Sequence, residues 1–191
     1  MPLRGAGLTS SMGSGLAPNL AGPPAASRGH TRIWSMLALV TVPVVALDQV
    51  TKAYIAAHFH LYQTFTLVPN WLDLTYTLNP GAAFSLFATL PAAIRGTLFI
   101  VLSIAAAIVL LALLARRSTS VSSAIAFALI LGGTIGNLID RVVRGKVIDF
   151  IYFHHDRFSY PVFNAADSAI TIGVAIILIF GLLTDSNTES P

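Results

Sequence analysis

The stretch VSSAIAFALILGGTIGNLIDRVVRGKVIDFIYF, residues 121–153, contains the patterns of both a helix and a strand, the two kinds of secondary structure that the sequence predicts. From Val121 to about Val142 it is predominantly apolar, over the roughly 20 residues that a helix needs to cross the hydrocarbon core of a bilayer. The small residues at 132–136 suit close helix packing in lipid. After Gly145, the run from Val147 to Phe153 is typical of a strand. The stretch therefore predicts a transmembrane helix with a polar end that leads into a strand.

Three more stretches are long and apolar enough to span a bilayer, and they run from Ile33 to about Ala57, from Ala92 to Ala115 and from Ala165 to Leu183. The chain of 191 residues is 55% hydrophobic and only 10% charged, whereas soluble domains carry about 25% charged residues. A lipid bilayer is therefore the expected solvent. We predict a membrane protein of the all-α class with four transmembrane helices.

The connection between the first two spans has a different period. Apolar residues alternate with polar ones around Phe65 and Leu67, and again from Leu72 to Leu78, with the turn signal Pro69-Asn70 between the two runs. Period-two alternation on both sides of a turn predicts a β-hairpin. Because lipid cannot satisfy an open sheet edge, the hairpin should form a small sheet, or cradle, at or above the membrane surface.

One domain is expected to include the apolar part of the chain, residues 33–184. Residues 1–32 are rich in Gly, Pro, Ser and Ala without apolar periodicity, which predicts a disordered N-terminal tail. No small-residue cleavage site follows the first apolar run at a suitable distance, so we interpret that run as a retained span. Residues 185–191 are predicted to be a short polar C-terminal tail.

Charge and residue types argue against several classes of function. The net charge is +3 and the basic residues are scattered, whereas a nucleic-acid partner requires a concentrated basic face. The chain has no cysteine, which excludes disulfides, thiolate catalysis and cysteine-ligated metals. The pairs His58/His60 and His154/His155 lack a third ligand at helical spacing. We interpret them as interfacial histidines and predict no metal and no cofactor.

A topology of four spans brings the polar residues to one side of the membrane. The connection between spans one and two and that between spans three and four must lie on the same side, and the termini on the other. Ionisable and amide residues lie late in span one, in the first connection, at the end of span three and around the start of span four. The sequence therefore predicts a polar cluster of Asp48, Lys52, Asn79, Asn137, Asp140, Arg141, Asp149, Asn164 and Asp167.

Asp149 and Asp167 are the central candidates for catalysis. They lie on different predicted elements, and folding can bring their carboxyl groups together. Two close carboxyl groups share a proton, because both cannot ionise readily, and such a pair can activate a water and protonate a leaving amine. A structural interpretation stays open, in which Asn164 and Asp167 form a capping box at a helix start and Asp149 is a solvated loop charge.

Asp48 and Lys52 are spaced i, i+4 on span one, the favourable order for an ion pair on a helix. They would form either a polar clamp that faces the substrate or a neutral pair that lowers the cost of membrane insertion. Asn79 begins the segment NPGAAFS, residues 79–85. Its amide can donate to a developing oxyanion or to the substrate backbone, whereas an ordinary Asn-Pro turn is the structural interpretation.

Asn137, Asp140 and Arg141 share one face of span three, at i, i+3 and i+4. The planar guanidinium of Arg141 can donate to a carboxylate or a carbonyl oxygen. It would therefore orient the two aspartates, hold the substrate backbone, or tether neighbouring spans.

Five segments in this order resemble the signal peptidase II family of bacterial membrane aspartyl proteases. They are DQVTK at 48–52, NPGAAFS at 79–85, GGTIGNLIDR at 132–141, VIDF at 147–150 and FNAADS at 163–168. The resemblance covers roughly residues 33–183 and implies that Asp149 and Asp167 are the catalytic aspartates. It also implies that the residues lining or supporting the site are Asp48, Lys52, Asn79, Gly133, Asn137, Asp140, Arg141, Phe163 and Asn164.

The resemblance further implies a substrate and a location. The substrates would be prolipoproteins with a diacylglyceryl group on the lipobox cysteine, cut immediately before that cysteine without a cofactor and with sensitivity to the cyclic peptide globomycin. The protein would be a monomer in the lipid of the bacterial cytoplasmic membrane. Both termini would be cytoplasmic, with the site and its sheet near the extracytoplasmic face. A count of basic residues on the two sides gives no preference for this orientation.

Two other functions would use the same residues. A small transporter or proton carrier would use the intramembrane charges as a relay. It would require polar residues at mid-depth in several spans, and spans two and four contain almost none. A non-catalytic assembly factor would bind partners through the hairpin, and it would be insensitive to neutralisation of both aspartates.

Overall fold

Four helices contain most of the residues that the computed structural model describes, which are 33–81, 90–116 and 119–185, with the backbone alone for 181–185. They are α1 (Ile33–His58), α2 (Ala92–Ala115), α3 (Val121–Arg144) and α4 (Ala165–Asp185). Their bounds agree with the four predicted spans to within a few residues. The predicted N-terminal tail, the C-terminal tail beyond residue 185, and residues 82–85 of the segment NPGAAFS lie outside the described residues.

The helices have the length and surface of membrane spans. α1, α2 and α3 are each long and apolar enough to cross a membrane. α4 is apolar from Ala165 to Phe180 and continues to Asp185, which at 1.5 Å per residue gives roughly 30 Å, the thickness of the hydrocarbon core. Large apolar side chains are exposed around the bundle, among them Leu39, Ile108 and Ile179. The prediction of an all-α membrane fold with a small sheet is confirmed.

α3 is the central helix and packs against the other three. Of an apolar stretch of 18 residues in each helix, half of the residues are buried in α3, compared with 11% in α1 and 6% in α2. Its buried side chains include Ala124, Ala126 and Ala128. A Cβ atom added at Gly133 would clash with the backbone oxygen of Ala166 on α4. α3 and α4 therefore contact each other through their backbones, which small residues make possible in lipid.

An antiparallel sheet of four strands, in the order β1-β2-β3-β4, adjoins the helices. β1 (Thr64–Val68) and β2 (Leu72–Asn79) form the predicted hairpin. β3 (Val147–His155) is the strand predicted after α3, and it pairs with β2. β4 (Phe158–Ser159) was not predicted, because two residues are too few to show a periodic pattern.

Apolar packing and a short connection join the sheet to the helices. Ile55, near the end of α1, packs with Ile148 and Phe150 of β3, and all three side chains are buried. Gly145 ends α3 in the left-handed conformation with a φ of 71°, a conformation that glycine adopts readily, so that β3 begins two residues later. Asp149, between Ile148 and Phe150, therefore lies at the junction of sheet and helices.

Replacing Gly133 by alanine is expected to destabilise the bundle, since the new methyl group would clash with the backbone of Ala166. Overpacking of this kind costs about 1–3 kcal/mol in the free energy of unfolding, which thermal unfolding in detergent would register as a lower midpoint. Gly96→Ala on α2 is the matched control, because among the described residues no atom apart from the adjacent residues and the backbone of its own helix turns lies within 4 Å of its added Cβ. Equal midpoints for the two variants would contradict the backbone contact between α3 and α4.

Candidate active site

Asn164 is the centre of a buried hydrogen-bonded network where α1, α3, α4 and the sheet meet. Its side chain is completely buried. The amide Nδ2 donates to Asp149 Oδ1 (2.7 Å) and to Asn137 Oδ1 (3.1 Å). The amide oxygen accepts from the backbone N–H of Asp167 (2.9 Å). One side chain thereby joins both candidate aspartates, which lie on different elements, in a single network.

Asn164 and Asp167 form the capping box that their spacing predicts. In addition to the bond just described, the backbone N–H of Asn164 donates to Asp167 Oδ2 (3.2 Å). The other carboxyl oxygen, Asp167 Oδ1, accepts from Asn137 Nδ2 (2.8 Å). The capping interpretation is therefore correct as local structure. It does not exclude a chemical role, because the half-buried Asp167 also lines a cavity.

Asp149 is 2% exposed, so the interpretation of this residue as a solvated loop charge is wrong. Its Oδ2 accepts from Asn79 Nδ2 (3.0 Å), and its Oδ1 accepts from Asn164. Burial, followed by the nearby charge of Asp167, raises the pKa of Asp149 to about 7, and the two amide hydrogen bonds oppose this increase. A carboxyl group that titrates near neutral pH has the property required of a general acid or base.

Lys52 lies on α1, completely buried between two carboxylates that are also completely buried. Its Nζ is 2.8 Å from Asp48 Oδ2 and 3.1 Å from Asp140 Oδ2, and it donates to Asn137 Oδ1 (2.9 Å). Arg144, at the end of α3, pairs with Asp140 as well. Two cations and two carboxylates compensate one another, as charges withdrawn from water require. The burial favours the neutral-pair interpretation of Asp48 and Lys52 over a clamp that contacts substrate.

The same two carboxylates hold the backbone immediately before each candidate aspartate. Asp48 Oδ1 accepts from the N–H of Ala166 (3.0 Å), and Asp140 Oδ2 accepts from the N–H of Ile148 (3.1 Å). Gly136 allows the first of these contacts, since a Cβ there would lie 2.5 Å from Asp48 Oδ2. Neither bond is predictable from the sequence, because a backbone N–H has no signature there.

Asn79, at the end of β2, orients Asp149. While its Nδ2 donates to the Asp149 carboxyl group, its Oδ1 accepts from the N–H of Gly81 (2.8 Å). Gly81 has a φ of +94°, so the Asn-Pro turn of the structural interpretation is present. The turn serves to hold the amide against the carboxyl group.

Arg141, on α3, is half-buried beside the network. Its Nη1 donates to the backbone oxygen of Asn137 (3.3 Å), and its guanidinium lies 5.3 Å from the centre of the Phe99 ring on α2. Its charge interacts with those of Asp149 and Asp167. Phe99 was also missed, because an apolar residue within an apolar span has no distinguishing pattern.

The last two predicted residues occupy different positions. The backbone of Phe163 pairs with Ile151 of β3, and its side chain lines the cavity. Gly133 lies in the contact between α3 and α4, where it packs against Ala166 and Ile170.

A cavity of about 400 Å³ opens beside Asp167. Its walls come from the sheet and from α4, and most of its lining side chains are apolar or aromatic. Such a cavity can accept an apolar group next to a reactive carboxyl group. The lining residues are Leu72, Phe153, Tyr160, Phe163, Asp167, Ser168, Thr171 and Ile172.

His154 and His155 lie on the sheet. His154 Nε2 is 3.0 Å from Asp73 Oδ2, and the His155 ring stacks on Trp71 at 3.9 Å between ring centroids. Within the described ranges, no three His, Cys, Asp or Glu side chains are grouped as metal ligands.

Comparisons with known proteins identify relatives over most of the chain. The model of the family described as "Signal peptidase (SPase) II" matches residues 40–183. A lipoprotein signal peptidase of Syntrophus aciditrophicus (strain SB) is 41% identical over 146 residues, which are 75% of this chain and 91% of that protein. A lipoprotein signal peptidase of Pseudomonas putida (strain KT2440) is 39% identical over 170 residues, which are 88% of this chain and 96% of that protein.

The fold agrees with these relatives. A solved structure of a bacterial membrane enzyme, obtained by the in meso method at 2.3 Å resolution, is similar with a TM-score of 0.69 and 36% sequence identity. The similarity covers 80% of this chain and 90% of that one. This chain therefore belongs to the signal peptidase II family.

Proposed function

We propose that Asp149 and Asp167 are the catalytic pair of this protease, and that it removes signal peptides from diacylglyceryl-modified prolipoproteins by hydrolysing the bond before the lipidated cysteine. The observation that carries the proposal is the Asn164 side chain, which donates to the Asp149 carboxyl group and accepts from the backbone N–H of Asp167 within one buried network. The names of the relatives, lipoprotein signal peptidases, support the substrate class.

The pKa of Asp149 supports a pair that holds one proton at neutral pH. The ionised carboxylate of the pair accepts a proton from a water molecule, whose oxygen attacks the carbonyl carbon of the scissile bond. The protonated carboxyl group donates to the carbonyl oxygen as negative charge develops there. The C–N bond then breaks as the carboxyl group that received the water proton donates it to the leaving amine of the cysteine. The other aspartate takes its proton back from the former carbonyl oxygen, and the signal peptide leaves with a new carboxyl group. Because the pair exchanges protons in both steps, it is regenerated at the end.

Neighbouring residues would hold this pair without changing covalently. Asn79 and Asn164 donate to the Asp149 carboxyl group, and Asn137 donates to that of Asp167. The positive charge of Arg141 interacts with both and would stabilise negative charge in the transition state.

The cavity beside Asp167 supports a lipid-modified or apolar segment as the group bound next to the scissile bond. Its walls are largely apolar, and it adjoins membrane-spanning α4. An acyl chain or an apolar side chain of the signal peptide could therefore pass from the bilayer core into the cavity without exposing apolar surface to water, so that binding carries no hydration cost.

The helices and the family indicate a bacterial inner-membrane protein, and we propose that both termini are cytoplasmic and that the site is near the extracytoplasmic face. The ion pairs of the structure support this orientation. Lys52 and Arg144 pair with buried carboxylates, and Arg141 stacks on Phe99. If these three are set aside, five basic residues of the sequence remain on the side of the termini and three on the other side, in agreement with the positive-inside rule.

We also propose that the monomer is the active unit, since the buried charges of Asp48, Lys52 and Asp140 are compensated within the chain and need no group from a second copy.

Asp149→Asn and Asp167→Asn are each expected to lower cleavage of a diacylglyceryl precursor by about 10²–10⁴-fold, because either change removes the acid–base pair. The assay uses purified protein in detergent with chelator present, and release of the signal peptide is measured. Asp156→Asn is the matched control, since its side chain is 72% exposed in the turn between β3 and β4, and it should retain full activity. Globomycin should inhibit the unmodified protein. Full activity in either site variant, with normal thermal unfolding, would remove that aspartate from the pair.

Cleavage is expected to decrease as the pH rises above about 7. Burial and the charge of Asp167 raise the pKa of Asp149 to about 7, so the pair keeps its shared proton below that pH and loses it above. A profile of kcat/KM against pH should therefore show an alkaline limb near neutrality. A profile that stays level from about pH 6 to 9 would contradict the shared-proton mechanism.

The orientation is testable because the chain contains no cysteine. In intact cells, a membrane-impermeant thiol reagent is expected to label Ser159→Cys, on the exposed strand β4, and not Ser118→Cys, in the connection between spans two and three. Labelling after solubilisation controls for reactivity of both sites. Labelling of Ser118→Cys alone in intact cells would reverse the proposed topology.

A further inference from the structure

We infer that Phe99, on α2, is a positioning residue that holds Asn79 and Arg141 against the catalytic pair, an inference that rests on the proposed function. None of the polar groups named above in the described part of the network belongs to α2. Its Phe99 ring nevertheless contacts both the turn after β2 and the guanidinium on α3.

The first contact acts on Asn79 through Gly81. The backbone of Gly81 lies so close to Phe99 that an added Cβ would be 2.5 Å and 2.7 Å from two ring carbons. The ring therefore limits the movement of Gly81 towards α2. Because the N–H of Gly81 donates to Asn79 Oδ1, the turn determines the orientation of the Asn79 amide. That amide in turn donates to Asp149 Oδ2.

The second contact acts on Arg141. Its guanidinium lies over the Phe99 ring at 5.3 Å from the centroid, within the range of a cation–π interaction. With one nitrogen bonded to the Asn137 backbone and the plane supported by the ring, the cation is held near Asp149 and Asp167. An aliphatic side chain of similar size would fill space but has no π face to attract the cation.

One ring thus restrains two groups that act on the Asp149 carboxyl group, Asn79 through a hydrogen bond and Arg141 through its charge. Both groups favour the ionised form of this carboxyl group, Asn79 by a hydrogen bond and Arg141 by its charge. The other charged groups that face the Asp149 carboxyl group are Asp167 of α4 and Lys52 of α1. Their described hydrogen bonds and ion pairs are with residues other than Phe99. Loss of the ring should therefore affect the geometry and the protonation of Asp149 together.

Phe99→Leu is expected to lower kcat roughly 10- to 100-fold, the effect of a small misplacement of catalytic groups, with little change in KM. The alkaline limb of the pH profile should move to higher pH, since Asp149 loses part of the stabilisation of its ionised form. Phe99→Tyr, which keeps the aromatic face, should have the kcat and the pH profile of the unmodified protein. Leu102→Ala, a half-exposed position on the same helix, is the control for loss of apolar volume and should leave both unchanged.

A readout without cleavage separates this inference from the proposed function. Difference infrared spectroscopy of the carboxyl band, against Asp149→Asn, follows the protonation of Asp149 directly, and Phe99→Leu should raise the pKa that it reports. If Asp149→Asn were fully active, the catalytic proposal would fail while this shift could still be measured. A folded Phe99→Leu variant with unchanged kcat and an unchanged Asp149 titration would overturn the positioning role. Equal losses of kcat in the Leu and Tyr variants, with no shift in the titration, would overturn it as well.

Discussion

The ammonium group of Lys52 lies in a completely buried position between Asp48 and Asp140, and the arrangement of the site depends on this contact. Each of the two carboxylates also accepts a backbone N–H, one from Ala166 and one from Ile148. These are the residues directly before the two candidate catalytic aspartates. Without the ammonium group, Asp48 would be an uncompensated buried charge and Asp140 would retain only its pair with Arg144, a strongly destabilising change in a region that excludes water. Charge compensation on α1 and α3 is thus coupled to the positions of α4 and β3.

The groups that contact the aspartates themselves are mainly neutral amides. An asparagine can donate and accept at the same time, and Asn164 does so between Asp149 and Asp167. Neutral donors oppose the effect of burial on the Asp149 pKa only in part, so that it stays near neutrality. A lysine in direct contact would favour the ionised carboxylate much more strongly. Lys52 is instead separated from the two aspartates by one side chain, that of Asn137, to which it donates.

The short reach of these polar side chains requires closely packed helices. Asparagine and aspartate extend only a few bonds from the backbone, so α1, α3 and α4 must approach one another to within hydrogen-bonding distance. Gly133 and Gly136 allow this approach, the first against the backbone of Ala166 and the second against the carboxylate of Asp48. In lipid, such contacts gain from packing and from satisfied polar groups, since no hydrophobic effect drives the helices together. Small residues on α3 and polar residues on its neighbours are therefore parts of one arrangement.

Hydropathy and alternation determined the four helices, the hairpin and the third strand, because a span needs about 20 apolar residues and a half-buried strand alternates its side chains. Counting membrane crossings also predicted that the polar residues share one side, and the pairing of Asp48 with Lys52 followed from helical spacing. Only the tertiary structure decided that the second partner of Lys52 is Asp140 on another helix. Contacts between spans depend on the rotation and depth of each helix, which a pattern along one span does not contain. Phe99 is a second example. Its hydropathy is that of a lipid-facing residue, and only its position against Gly81 and Arg141 in the folded chain distinguishes it.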